Sequence, residues 1–315
     1  MKNPYQRCLL CPRSCGINRL AGERGYCGET AALRVAAAVL HCGEEPPLTG
    51  TGGSGTIFIS GCNLGCIFCQ NYQISQGTGK KYRDSVIGKE VSIDGFARIC
   101  LSVQEKGAEN INIVTGSHAI PAIIGGLLTA KKSGLTIPVL WNSSAYETTD
   151  TLEMLREIVD IYLPDLKTLG SGIARRFFNA EDYPVTAKAA ILKMIEMASG
   201  TGNNALRDRV IIRHLILPGL LESTRDVLRW FAENAQNRAM LSLMTQYTPV
   251  PNRNKNAPRR FLSEEEYDTV MIWLEEFGIE EGFCQELVTS SDWLPDFRKK
   301  NPFPSELSVT VWSDH

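Results

Sequence analysis

Apolar, β-branched runs punctuate the chain at TIFIS (56–60), NINIVTG (110–116), IPVLWNSS (137–144), DIYLPDLK (160–167), RVIIRHLILPG (209–219) and MLSLMTQYTP (240–249). Each is short and rich in Val, Ile and Leu, so each predicts a buried strand. Between them the period lengthens to that of a helix. Ile93, Phe96, Ala97, Cys100 and Val103 share one face ahead of Gly107, a natural stop. Pro121 opens a second helix that Gly134 closes, Asp150 with Leu152, Leu155 and Ile158 predicts a third, and Thr186 to Met197 a fourth. Ser223 with Asp226 predicts a capping box ahead of VLRWF. Ser263 with Glu266 predicts another ahead of Tyr267, Val270, Met271 and Leu274, with Gly278 as stop.

Strand and helix alternating in this way predict an α/β fold with a parallel sheet buried on both faces. Right-handed crossovers curl such a sheet into a partial (β/α)6 TIM-like barrel. Residues 51–288 are assigned to the barrel, 1–50 to a small Cys-rich metal-binding module poor in periodic pattern, and 289–315 to an extended C-terminal tail. Ligands of these sheets sit at the carboxyl ends of the strands. That places the loop after TIFIS at the barrel mouth.

With 315 residues, a net charge of -2 and a pI near 6.2, nothing draws the whole chain to nucleic acid or to an anionic membrane. No apolar run approaches the roughly 18 to 20 residues of a membrane span, and MKNPYQRCLLCPRS carries no apolar leader, so a soluble cytoplasmic protein is expected. Eight of the ten cysteines fall within the first 69 residues, where metal binding outranks disulfides in such a compartment.

GCNLGCIFCQN (61–71) sets Cys62, Cys66 and Cys69 in the spacing C-x3-C-x2-C. Soft thiolates suit zinc or iron–sulfur clusters. Three of them hold three irons of a cubane and leave the fourth open; a zinc loop short of one ligand is the competing reading. With Phe68 before the last cysteine, the segment resembles the signature of the radical SAM superfamily. That resemblance implies a [4Fe-4S] cluster whose free iron chelates S-adenosylmethionine (SAM), and reductive cleavage to a 5'-deoxyadenosyl radical that abstracts hydrogen.

Further segments resemble pyruvate formate-lyase activating enzyme and its uncharacterised homologues. Gln70 and Asn71 stand where activases carry His-Asn. Thr115, Gly116, Ser117 and His118 correspond to their SAM-binding Gly-Gly-Glu segment, without the glutamate. Trp141, Asn142, Ser143 and Ser144 loosely match Asp-Thr-Asn-Gly, Pro164 to Lys167 match Leu-Asp-Leu-Lys, and RHLILPG from Arg213 matches their fifth strand. The resemblance implies cofactor contacts from Phe68, Asn71, Thr115, Gly116, Ser117, Asn142, Ser144, Asp165, Lys167 and Arg213. It also implies an electron donor such as flavodoxin or ferredoxin, and a protein or peptide substrate such as the glycyl loop of a partner enzyme. Radical modification of another peptide, RNA or small molecule is the alternative, and a non-catalytic metal-binding scaffold is a third reading that the missing glutamate keeps open.

Cys8, Cys11, Cys15 and Cys27 form C-x2-C-x3-C-x11-C, a set for zinc or a second iron–sulfur cluster. His41 and Cys42 downstream read as a surface pair. GTGGSG (50–55) matches G-x-G-x-x-G but precedes a strand, so it reads as a flexible lead-in. Asp165 and Lys167 point the same way on a strand, as an ion pair or as ligand contacts. Arg213 needs an anion, whether a SAM carboxylate, a ribose or a barrel carboxylate. His214 faces the other side and reads as a satisfied structural histidine, whereas His118 reads either as a mouth or as a surface residue. Gln246 and Tyr247 are candidates for the pocket; Phe177, Phe178 and Trp230 read as packing. PNRNKNAPRR (251–260), with Arg253, Lys255, Arg259 and Arg260, reads as a solvated loop, with an acidic-peptide dock as the alternative.

Overall fold

Alanine-rich LRVAAAVLH forms the first strand of the structure, a computed structural model that describes residues 3–75, 87–199, 209–250, 256–291 and 293–314. This strand, β1 (Leu33–His41), lies inside the stretch 1–50 expected as a separate module, yet it belongs to the main sheet. Ahead of it is a single 3-10 turn (Arg19–Ala21), and after it the short α1 (Pro46–Thr49). Then follow β2 (Ser54–Ile59), α2 (Tyr72–Ser75), β3 (Lys89–Val91), α3 (Ile93–Glu105) and β4 (Ile111–Val114). The middle of the chain supplies α4 (Ile120–Lys132), β5 (Val139–Ser143), α5 (Thr149–Glu153), β6 (Ile161–Pro164), α6 (Ser171–Phe178) and α7 (Tyr183–Ser199). It closes with β7 (Ile211–Leu215), α8 (Leu221–Asn234), β8 (Met240–Met244), α9 (Glu264–Glu276), β9 (Gly282–Cys284) and β10 (Ser308–Ser313).

The six strands expected from the apolar runs are β2, β4, β5, β6, β7 and β8, and they form a parallel arc. Phe58, Val114, Asn142 and Leu163 stand side by side across β2, β4, β5 and β6. Single bridges at Tyr162–Val210 and Asp165–Arg213 carry the arc to β7, and β8 and β9 continue it in parallel. On the other side, β1 runs antiparallel to β2, with β10 and β3 antiparallel along its outer edge. The result is the α/β partial barrel that the strand–helix alternation predicts.

Strand alternation sorts the side chains between two faces. Ile57, Ile113, Trp141, Tyr162 and Ile212 pack into the core beneath the helices. Thr56, Phe58, Asn142, Arg213 and Ser242 face the barrel interior, where they line a cavity.

Three local expectations need correction. Ser223 and Asp226 do not cap α8: the helix starts at Leu221, and the Ser223 hydroxyl is engaged by Thr168 Oγ1 at 2.8 Å. The helix predicted from Asp150 to Ile158 stops at Glu153, although Leu155 and Ile158 stay buried. The extended tail assigned as a separate unit supplies β10 to the main sheet, with Ser308 buried and Val309 exposed. Ser263 and Glu266 do form their capping box. Of the basic segment 251–260, residues 251–255 lie outside the described residues, and Arg260 pairs with Glu266 at 2.6 Å. Among the described residues, no helix is long and apolar enough to cross a membrane.

Candidate active site

The cysteine loop leaves the carboxyl end of β2 and is held on every side. Gly61 donates its N–H to the Ile74 carbonyl at 2.8 Å, Ile67 to Phe177 at 2.9 Å and Cys69 to Cys66 at 3.2 Å. Asn63 Nδ2 donates to the Tyr146 carbonyl at 2.6 Å. Phe68 anchors the loop from beneath, meeting Phe177 and Phe178 edge-on with centroids 5.9 Å away and Tyr247 at 6.2 Å. Phe177, Phe178 and Tyr247 therefore pack the loop into place, Tyr247 doing so from outside the cavity.

Cys62, Cys66 and Cys69 all line a cavity of about 660 Å³ enclosed by the strand ends. Burial pushes the Cys66 and Cys69 thiols above their ordinary range, against hydrogen bonding from Ser75 Oγ to Cys69 Sγ at 3.3 Å. The Leu64 N–H likewise points to Cys62 Sγ at 3.4 Å. Hydrogen bonds of this kind tune thiolates that hold a metal.

Phe68, Asn71, Thr115, Asn142, Ser144, Asp165, Lys167 and Arg213 also line this cavity, so most of the residues expected there from the sequence are brought together. Ser144 Oγ is buried and has no hydrogen-bond partner among the described residues. Asp165 and Lys167 form an ion pair at 2.6 Å. Burial disfavours the Lys167 ammonium, but the Asp165 charge beside it outweighs that cost and raises its pKa. Tyr183 fixes the pair: its hydroxyl donates to the Asp165 carbonyl at 2.8 Å and accepts from the Lys167 N–H at 3.0 Å.

Gly116 and Ser117 are not brought to the cavity. Thr115 adopts a left-handed φ of 62°, which turns the chain inward after β4. A side chain on Gly116 would strike Ile123 and Trp141 at 2.6 and 2.8 Å, and Ser117 Oγ donates to Glu147 Oε1 at 2.7 Å. No local sequence pattern marks Glu147. Its buried carboxylate also accepts from Trp141 Nε1 and Ser143 Oγ, each at 2.8 Å, and so ties together the loops after β4 and β5.

Arg213 finds its anions within the chain. Its Nε donates to Glu45 Oε1 at 2.9 Å, its Nη2 reaches Glu44 Oε2 at 2.5 Å, and a second bond joins Nη2 to Glu45 Oε2. Burial disfavours both partners' charges, yet their attraction prevails, holding the Glu45 pKa down and the Arg213 pKa up.

The histidines divide differently from expectation. His41 is buried and lines the cavity, edge-on to Phe303 at 4.9 Å, because β10 and the preceding segment cover it; Cys42 is exposed. His118 reaches neither the mouth nor the surface: it is buried, with Nε2 2.8 Å from the Ser60 carbonyl. His214 bonds to the Leu166 carbonyl and to Thr224 Oγ1 at 2.7 and 2.9 Å. Gln246 lines the cavity, as do Trp293 and Phe303, which no sequence pattern marked.

In the N-terminal module, Cys8, Cys11 and Cys27 are buried and Cys15 is half-buried. Burial pushes the Cys11 thiol up to about 12 and the Cys27 thiol up to about 11. Among the described residues, no group of three or more His, Cys, Asp or Glu side chains is placed to hold a single metal ion, here or at Cys62, Cys66 and Cys69.

Comparison with known proteins matches these features to one family. The sequence model of the radical SAM superfamily matches residues 56–231. An uncharacterised protein of Methanocaldococcus jannaschii, MJ0674, is 30% identical over 284 residues, which are 89% of this chain and 77% of that protein. Among solved structures, Streptococcus suis SuiB is 14% identical with a TM-score of 0.47, over 71% of this chain and 47% of SuiB, which spans more than twice the matched length. Methylornithine synthase (PylB) is 16% identical with a TM-score of 0.44, over 80% of this chain and 72% of its own. The chain belongs to the radical SAM superfamily.

Proposed function

We propose that this protein is a radical SAM enzyme in which Cys62, Cys66 and Cys69 bind three irons of a [4Fe-4S] cluster, with SAM beside it in the same cavity. The observation that carries this reading is the convergence of three thiols, Cys62 and Cys66 buried and Cys69 half-buried, and of Ser144 Oγ, unpartnered among the described residues, on one cavity at the carboxyl ends of the parallel strands. When bound, the cluster supplies the electron that splits SAM into methionine and a 5'-deoxyadenosyl radical for hydrogen abstraction. The chain's own part is to bind, orient and exclude water. Thr115, Asn142 and Ser144 offer polar groups to SAM from the ends of β4 and β5, and Asn71 from the cysteine loop. Asp165 and Lys167 add a charged wall fixed by Tyr183, and Phe58, Leu64 and Phe68 an apolar one. Gly116 and Ser117 support these groups from behind, and Arg213 does so through Glu44 and Glu45.

The finer reading is activation of a glycyl-radical enzyme, with flavodoxin or ferredoxin as electron donor in the cytoplasm. It is supported by the likeness of Pro164 to Lys167 and of RHLILPG to activase segments. The test is anaerobic: the reconstituted protein receives dithionite and SAM, and 5'-deoxyadenosine is measured beside a Cys66→Ala variant. Its formation by the wild type alone is expected; equal amounts from both, or none from a protein with a spectroscopically verified cluster, would overturn the reading. A glycyl-radical signal in a candidate partner protein then tests the finer claim.

A further inference from the structure

Arg19 is a buried cation that no close ion pair holds among the described residues. It is 1% exposed, and Glu29 acts on it only through its field, without a close ion pair. Its guanidinium bonds to the carbonyls of His118 and Thr30, lies over the Tyr5 ring at 4.7 Å, and leaves Nε without a partner. Glu29 of the same module pairs instead with Arg34 at 3.4 Å and Arg24 at 4.0 Å. Isolating a guanidinium in this way is costly unless an anion stands beside it. What stands beside it is sulfur: Arg19 Nη1 is 4.0 Å from Cys8 Sγ, and the Arg19 charge also acts on Cys27.

The remaining thiols are prepared in the same manner. The Tyr26 N–H points to Cys15 Sγ at 3.3 Å, and Gly25 lets that sulfur approach, since a Cβ there would sit 3.3 Å from it. Cys11 lies within electrostatic reach of Cys8, Cys15 and Cys27. The apolar cluster of this segment is small, Tyr5, Cys8 and Leu10 with Ile17 and Ala31 against it, too little to hold the loops unaided.

We infer that Cys8, Cys11, Cys15 and Cys27 ligate a second iron–sulfur cluster, with Arg19 as its buried counter-charge. The inference goes beyond the barrel site and does not depend on it. The placement of the thiols counts against a single zinc. Sulfurs about 2.3 Å from one tetrahedral zinc lie within about 4 Å of each other, and these cysteines are not grouped to hold a single ion. A body of several irons takes thiols set more widely around it. Cys62, Cys66 and Cys69, where family membership implies a cluster, are likewise not grouped for a single ion.

The test compares the full chain, reconstituted anaerobically with iron and sulfide, with a variant carrying Cys62→Ala, Cys66→Ala and Cys69→Ala, and with Cys15→Ser. Expected are about eight irons per wild-type chain and about four in the triple variant, with an electron paramagnetic resonance signal in the latter, after one-electron reduction by dithionite, that SAM does not alter. Cys15→Ser, at the half-buried ligand, changes the signal of that second set alone. Arg19→Met shifts its midpoint potential downward, because a positive charge that favours the reduced cluster is gone. Zinc in place of iron in the triple variant, or no bound metal in a triple variant that circular dichroism shows to be folded, overturns the inference. Failure of the barrel reading shows differently, as iron that survives the triple substitution and disappears in Cys15→Ser.

Discussion

Arg13 and Asn63 lie fifty residues apart in the chain, yet Arg13 Nε donates to the Asn63 carbonyl at 2.9 Å. The same guanidinium donates to Leu64 at 3.1 Å, Phe178 at 2.9 Å and Asn179 at 2.6 Å, and its face covers the Tyr26 ring at 3.8 Å. One side chain from the N-terminal loop between Cys11 and Cys15 thus clamps the backbone between Cys62 and Cys66.

Arg13→Ala is expected to cost roughly 2–4 kcal/mol of stability, since four carbonyls lose a charge-assisted donor and water replaces only the exposed ones. It is also expected to speed loss of iron from the barrel cysteines. Arg13→Lys recovers little, because an ammonium cannot span two loops and stack on a ring. Urea denaturation and iron retention after gel filtration measure both effects; wild-type values for both variants would show the clamp to be idle.

Gly61 makes a further contact between module and cysteine loop. Its φ is +87°, and a Cβ there would stand 2.6 Å from Glu29 Cγ and 2.9 Å from the Cys27 carbonyl oxygen. Gly61→Ala should therefore lose roughly 2–4 kcal/mol, strain and clash together. Gly22, at φ +83° with nothing within 4 Å, supplies the control: Gly22→Ala pays only the backbone strain of about 1 kcal/mol. Equal melting temperatures for the two variants would refute the packing argument.

The sequence makes the parallel arc legible because β2 and β4 to β8 are dense in Val, Ile and Leu between breakers. It hides β1, whose Ala36, Ala37 and Ala38 carry no strand signal, and β9, only three residues long. The cysteine triad is local and so can be read from spacing alone. Glu147, Tyr183 and Arg13 act across distant loops, and no local pattern encodes such bonds. Ser117 departs from the expected place for a backbone reason: position after a strand suggests the mouth, but the left-handed turn at Thr115 sends the next residues into the core.

Arg213 and its two glutamates form a buried charge cluster in the cavity wall, so removing one sign should cost more than removing both. Arg213→Met leaves two carboxylates uncompensated, with an expected loss of about 3–5 kcal/mol. Adding Glu44→Gln and Glu45→Gln to it should restore part of that loss, and the thermodynamic cycle gives the coupling. Strictly additive losses in urea would mean that the three side chains act independently.

His214 gives the fold a defined pH dependence. Enclosed between Leu166 and Thr224, it is held neutral by burial, which pulls its pKa from 6.5 down to about 4. The unfolded chain therefore takes up this proton first as the pH falls. The contribution is complete above 6.5 and is lost between 6.5 and about 4, in total on the order of 3 kcal/mol. His118, pulled to about 3 by burial and by the Arg19 charge, adds a similar loss that extends slightly lower. Denaturation free energies at pH 7, 6 and 5 should fall by about one proton per histidine in slope, before most carboxylates titrate. His214→Gln keeps a donor and an acceptor without the titration, so its curve should be flatter than the wild type's across this window. Parallel curves for the two proteins would mean that His214 is protonated in the folded state and that Leu166 and Thr224 hold it as a cation.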